Sequence, residues 1–300
     1  MVDDIATRKT YRYLRIGMVG AVVLLGASVL LEQHKAPGDC WQTSISAYYY
    51  TPVRAVFVGA LMAIGLSLIV IKGSTWREDA CLNLAGMLAP VVALVPTSDH
   101  GDCWSLKPHP LPTIENPLGD DPLAGWVKAN IHNNIEALLY AAAVALVAVS
   151  VIAVIAVVVG RRRGRSVDIT DAWKVEHRGT FFGLLGAAAF VVFTALAFYH
   201  WRDFETRAHG YAAVAMFGAL ALAAAVNSWE CRKFGRRWYF RLYFGIAVLM
   251  LATGLVLFGD WRHKVLVVEA LEIVFFAGFW IVQTRELWHD TVRGGPGEAL

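Results

Sequence analysis

The sequence predicts an all-α fold: a polytopic transmembrane helical bundle of about eight spans, with both termini in the cytoplasm. Three observations predict it. The first is composition: 57% of the 300 residues are hydrophobic and 17% are charged, too few charges to coat a soluble domain of this length. The second is clustering. The apolar residues gather into blocks at 16–31, 52–71, 80–96, 135–159, 181–199, 209–227, 242–258 and 265–283. Each block meets or nears the roughly 20 residues that a helix needs to cross hydrocarbon, where unpaired backbone groups are costly. The third is charge placement. With the N-terminus inside, 19 of the 27 Lys and Arg fall in cytoplasmic segments and 8 in outer ones, a positive-inside bias repeated at nearly every turn.

Taken in order, the first block is short, but Tyr11 to Arg15 extend it, with basic side chains reaching the headgroups. Glu32-Gln33-His34-Lys35 follow without a small-residue cleavage site, so this block reads as an uncleaved signal anchor. The third block carries Pro90 at its middle and is expected to kink there. Arg161, Arg162, Arg163 and Arg165 follow the fourth block, and Arg232, Lys233, Arg236 and Arg237 follow the sixth. Short Arg clusters at helix ends determine topology, so nucleic acid is not an expected partner; the lipid bilayer is. Residues 97–134 form the longest outer segment, a Pro-rich loop, and no separate soluble domain is expected within residues 1–300. The alternating pattern of a membrane barrel is absent.

Four cysteines divide by side. Cys81 and Cys231 fall at the cytoplasmic edge, while Cys40 and Cys103 fall in outer loops within a shared Gly-Asp-Cys-Trp context. An outer face permits disulfides, so a Cys40–Cys103 bridge is expected.

Ionisable groups near hydrocarbon are costly and mark candidate sites. Glu269 and Glu272 share a face of the eighth block, and Gln283 extends that stripe. His132 and Glu136 stand at the entry to the fourth block, four residues apart, with Tyr140 a further turn along. His209 and Asn227 stand at opposite ends of the sixth block. Arg54 opens the second, just after Ser44, Ser46 and three tyrosines that include Tyr49. Most of these lie on the outer side, as do seven of the nine histidines.

Two readings compete for this cluster. His132, Glu136, His209 and Glu269 carry the imidazole and carboxylate donors that suit zinc, and a metal-activated water would attack a lipid ester, amide or phosphate. The commoner role of such groups is to hydrogen-bond one another and lock helix ends together. No His-Glu-x-x-His pair, Walker loop or nucleophile elbow is present to favour catalysis.

The stretch Ser44-Ile45-Ser46-Ala47-Tyr48-Tyr49-Tyr50-Thr51-Pro52-Val53-Arg54, running into Val56-Phe57-Val58-Gly59, resembles a motif of a family of bacterial multi-span membrane proteins without an established activity. Asn83-Leu84-Ala85-Gly86 and Val92 to Thr97 resemble it too, as more loosely do His209 before Tyr211 and Glu269 ahead of Phe275 and Phe276. The resemblance implies a bacterial cell membrane and a six-span scaffold to which the fourth and fifth spans are an addition. It narrows attention to Ser46, Tyr49, Arg54, His209 and Glu269. A looser analogy links the outer cluster to the superfamily of alkaline ceramidases, although the paired late histidines of that superfamily are missing here.

The expected function is a membrane protein that binds or moves a small or lipidic ligand through an outer-facing polar pocket. The alternatives are an outer-leaflet metal-dependent lipid hydrolase and a membrane scaffold or assembly subunit. Arg54, His209 and Glu269 are expected to approach one another.

Overall fold

The computed structural model describes residues 2–35, 41–97, 125–162, 176–290 and 293. Among the described residues there is no strand. Eight α-helices among these residues run in chain order: α1 (Val2–Lys35), α2 (Arg54–Val70), α3 (Trp76–Leu94), α4 (Gly125–Arg162), α5 (Glu176–His200), α6 (Phe204–Lys233), α7 (Arg237–Thr253) and α8 (Lys264–Glu286). Short 3-10 helices at Ser46–Tyr50 and Gly254–Phe258 precede α2 and extend α7. Among the described residues, six helices hold stretches long and apolar enough to cross a bilayer, the mark of a multi-pass membrane protein. Helix α2 has only 17 residues, and α3 opens with Arg77, Glu78 and Asp79.

Each apolar block coincides with a helix, but several helices outrun their blocks. Helix α1 extends back to Val2, and at 34 residues it is about 51 Å long, well beyond the hydrocarbon core. The expected loop at 97–134 is shorter than the sequence implied, because α4 already begins at Gly125. Lys128, Asn130, Asn133 and Asn134 make this turn too polar to read as a span. Val127, Ile131 and Ile135 nevertheless recur every fourth residue, and all three are buried, the pattern of a one-sided helix.

The described chain divides into two compact units, one of residues 1–124 and 205–300 and the other of Gly125–Phe204. In the smaller unit α4 packs on α5. The His132 ring, near the start of α4, meets the Phe198 ring, near the end of α5, edge-on at 5.0 Å, so the two helices run antiparallel.

In the larger unit α2 and α3 form a close hairpin, while α1 packs on α2 and α8, and α7 packs on α8. Small residues set the hairpin's closeness. A Cβ on Gly65 would lie 2.9 Å from the Gly86 carbonyl oxygen, and a Cβ on Gly86 would lie 2.7 Å from that of Gly65. The Gly86 carbonyl would ordinarily accept from residue 90, but that residue is Pro90, which has no N–H. The carbonyl freed by the proline is thus the one that faces Gly65. The turn into α3 is fixed by Thr75, whose hydroxyl accepts from the Glu78 amide at 3.2 Å, an N-cap.

The larger unit buries several ionisable groups within an apolar core and exposes large apolar side chains. Its buried residues include Arg15, Glu78, His209, Asn227, Glu272 and Glu286, while Leu24, Val214, Leu251 and Phe258 are exposed. Such a distribution suits a lipid solvent, where polar groups must find partners within the protein.

Candidate functional site: a polar-capped apolar slot

The segment that links α1 to α2 folds into a hub. Residues Ala47 to Tyr50 are all buried, and each tyrosine of the 3-10 helix fastens a different element. The Tyr48 hydroxyl donates to Gln33 of α1 at 3.1 Å. Tyr49 accepts from Arg54 Nη2 at the start of α2 at 2.8 Å, with that guanidinium 4.5 Å from its ring centre. Tyr50 donates to the Thr97 carbonyl just beyond α3 at 2.7 Å. Buried phenols seek such partners. Burial also pushes the Tyr48 and Tyr49 hydroxyls above their ordinary pKa, against the opposing pull of Arg54 on Tyr49, so both remain neutral.

Helix α8 closes the hub from the fourth side. Glu269 accepts from the Ile45 amide at 2.6 Å, the Ser46 amide at 3.2 Å and the Ser46 hydroxyl at 2.7 Å. Three donors on one carboxylate bind the loop to the helix with charge-assisted bonds. The Leu266 amide adds a further tie to the Thr43 carbonyl at 2.9 Å.

Beneath this hub lies a cavity of about 60 Å³. Ser46, Glu269 and His209 line it at one end. Below them the walls are apolar: Val22 and Leu25 of α1, Phe57, Leu61, Ile64 and Leu68 of α2, Ala213, Met216, Phe217 and Leu220 of α6, and Ile273 and Phe276 of α8, with Val92 of α3. The lining runs from Phe57 to Leu68 and from His209 to Leu220, eleven residues along each helix, or about 16 Å at the helical rise. The lining forms a slot along these helices, with its polar groups gathered at the hub end.

His209 is positioned by the end of α3. Its Nδ1 lies 2.7 Å from the Val95 carbonyl and 3.1 Å from that of Val92. Residue 96 is proline, so the Val92 carbonyl has no helical donor and is free for the imidazole. Carbonyls only accept, hence Nδ1 carries a proton, and in the neutral imidazole Nε2 is then the acceptor. His209 is 5% exposed, and among the described residues its Nε2 has no partner. A buried polar atom without a partner at a cavity wall is a functional signal.

The structure thus brings Ser46, His209 and Glu269 to one cavity. Tyr49 and Arg54 sit in the hub beside it, bound to each other, and neither lines it. Glu272 shares the α8 face with Glu269 only in part, for its carboxyl meets the Thr253 hydroxyl of α7. His132 and Glu136 belong to the smaller unit, the former exposed and the latter half-buried. Among the described residues no three His, Cys, Asp or Glu side chains are grouped to hold a metal ion. Of the zinc candidates, His132 and Glu136 lie in the smaller unit and His209 and Glu269 in the larger. Cys40 and Cys103 lie outside the described residues, and Cys81 and Cys231 are free.

The sequence reading missed a second polar cluster, at the other end of the larger unit. Glu286 accepts two bonds from Arg293, Nε at 2.7 Å and Nη2 at 2.5 Å, one from Tyr243 at 2.8 Å and one from Cys231 at 3.2 Å. Glu78 accepts from Gln283 Nε2 at 2.6 Å, and the Asn227 side-chain oxygen lies 3.5 Å from that same nitrogen. Arg293 Nη1 comes within 3.9 Å of Glu78. Burial works against the Arg293 charge, but Glu286, Tyr243 and Glu78 outweigh it and raise its pKa above the ordinary arginine value. Gln283 and Asn227 carried a signal, being polar residues at the ends of apolar blocks. Glu78, Glu286 and Arg293 carried none, because each stands in a polar flank.

Comparison with protein-family models, with curated proteins and with solved structures finds no match for this chain.

Proposed function

We propose that this protein binds a single-chain amphiphile, with the chain in the slot beneath the hub and the polar end at Ser46, His209 and Glu269. The observation that carries this reading is the slot itself: narrow, apolar for about three turns of its walls and polar only at its mouth. Sites for small ligands have this composition, apolar walls with a few placed polar groups. The free volume of about 60 Å³ is close to the share of two liquid waters, so a chain that enters must spread Met216 and Phe217.

The same proposal includes the setting. The chain crosses a bacterial cell membrane about eight times, with α2 and α3 counted as spans and both termini in the cytoplasm, as the basic flanks support. Under that orientation the hub and the slot mouth occupy the outer half of the bilayer, and the Glu286–Arg293 cluster the inner end. Membership in the multi-span family it resembles, with α4 and α5 as an addition, remains part of the proposal. So does a Cys40–Cys103 bridge across the outer loops, which peptide mapping without reductant would recover as a linked pair.

A structural role is favoured for part of the site by a specific observation: the three donors on Glu269 make it a fastening of the hub. That role and chain binding are compatible, since the fastening shapes the slot's roof.

The test is photolabelling in phosphatidylcholine nanodiscs with a dodecyl chain that bears a diazirine near its tip. Saturable labelling of peptides that hold Leu61–Leu68 and Met216–Leu220 is expected. Labelling that never saturates, or that falls only on outward residues such as Leu24 and Val214, would remove the reading.

A further inference from the structure

The polar end of the slot offers acceptors and no spare donor. The Ser46 hydroxyl is given to Glu269, and the Ile45 and Ser46 amides are given to the same carboxylate. As a neutral imidazole, His209 spends its one proton on the carbonyls of α3. What remains for a ligand is the lone pair on His209 Nε2, buried and without a partner among the described residues, beside a carboxylate. A buried acceptor left unmet costs free energy that a donor on the ligand would recover.

We infer that the slot selects a chain ending in an uncharged hydrogen-bond donor, a hydroxyl, which donates to Nε2 of His209. This rests on the reading of the slot as a chain site and adds what the chain must carry. An ether of the same length presents only acceptors, so it would face Nε2 and Glu269 lone pair to lone pair. A carboxylate or phosphate end is disfavoured twice, by the charge of Glu269 and by the absence of any donor. The proton on Nδ1 is fixed by the Val95 carbonyl and by the Val92 carbonyl that Pro96 leaves without a helical donor, so the imidazole cannot simply turn over without losing both contacts.

The experiment is displacement of the diazirine-bearing dodecyl label from full-length protein in nanodiscs by three competitors: 1-dodecanol, its methyl ether and dodecanoate. Wild-type protein should need about tenfold less alcohol than ether for half-displacement, the value of one buried hydrogen bond, and dodecanoate should be the weakest. In His209→Leu the alcohol and the ether should become equal. Equal potency of alcohol and ether in wild type, or dodecanoate as the strongest competitor, overturns the end-group inference while the chain site stands. Persistence of the alcohol preference in His209→Leu overturns the assignment to Nε2. A label that none of the three displaces removes the chain site as well. Should His209→Leu fail to fold, the comparison of alcohol with ether in wild type decides alone.

Discussion

His209 is oriented by two carbonyls at the end of α3, one of which Pro96 frees. A helix that ends in Val92-Ala93-Leu94-Val95-Pro96 has a carbonyl at Val92 that its own backbone cannot satisfy, and the imidazole of α6 supplies the donor. The sequence marked His209, Ser46 and Glu269 because each is polar beside an apolar block. It did not show their pairings. Arg54 was expected at Glu269, yet the nearer Tyr49 takes its guanidinium and the loop amides take the carboxylate. Local partners a few residues away are available at small entropic cost, and a sequence does not rank them. The opposite error occurred at Glu286 and Arg293. A charge just past an apolar block reads as solvated, and only folding reveals that Arg293 returns to lie 6% exposed against Glu286. Arg293→Ala should leave that carboxylate only Tyr243, Cys231 and Arg236 as donors and destabilise the larger unit by about 3 kcal/mol, the low end for a broken buried pair. Thermal unfolding in one detergent, scored against Arg285→Ala at an exposed position, checks it; equal midpoints would show that the pair is not stabilising.

At the scale of elements, hydropathy made the helices legible and left their ends uncertain. The start of α4 was hidden because its first turns are mostly polar, while a fourfold repeat of Val127, Ile131 and Ile135 was there to be read. The hub was harder. Ser44 to Thr51 has no helical length and no capping pattern, and its three tyrosines look like an interfacial belt. In the fold they are buried anchors for α1, α2 and the end of α3. The α2–α3 hairpin makes a sharper prediction. Gly65→Ala places a methyl 2.9 Å from the Gly86 carbonyl oxygen and 3.1 Å from the Ala89 Cβ, and should cost about 1–3 kcal/mol through overpacking. Gly59→Ala on the same helix meets nothing within 4 Å and should gain about 0.5–1 kcal/mol from helix propensity. Unfolding midpoints that move in the same direction for both variants would contradict the close Gly65–Gly86 contact.

At the scale of the whole molecule, six helices carry their membrane character openly, while α2 and α3 depend on each other. One is short, and the other opens with charges that find partners in Lys72, Ser74 and Gln283. Reporters fused after Leu300 or inserted at 163–175 should read as cytoplasmic, and one inserted at 98–124 as external. A C-terminus that is labelled from outside intact cells would reverse the assignment of the slot mouth to the outer half.

The central claim is that the slot receives a chain. Ala213 lines it from α6 as a small, half-buried residue, so Ala213→Trp fills the slot from its wall without touching the hub's hydrogen bonds. Native mass spectrometry of protein released from nanodiscs loaded with 1-dodecanol measures occupancy directly. One bound alcohol is expected on wild-type protein and none on Ala213→Trp at the same concentration, with the unfolding midpoint of the empty variant retained. Equal occupancy in the two proteins would contradict it.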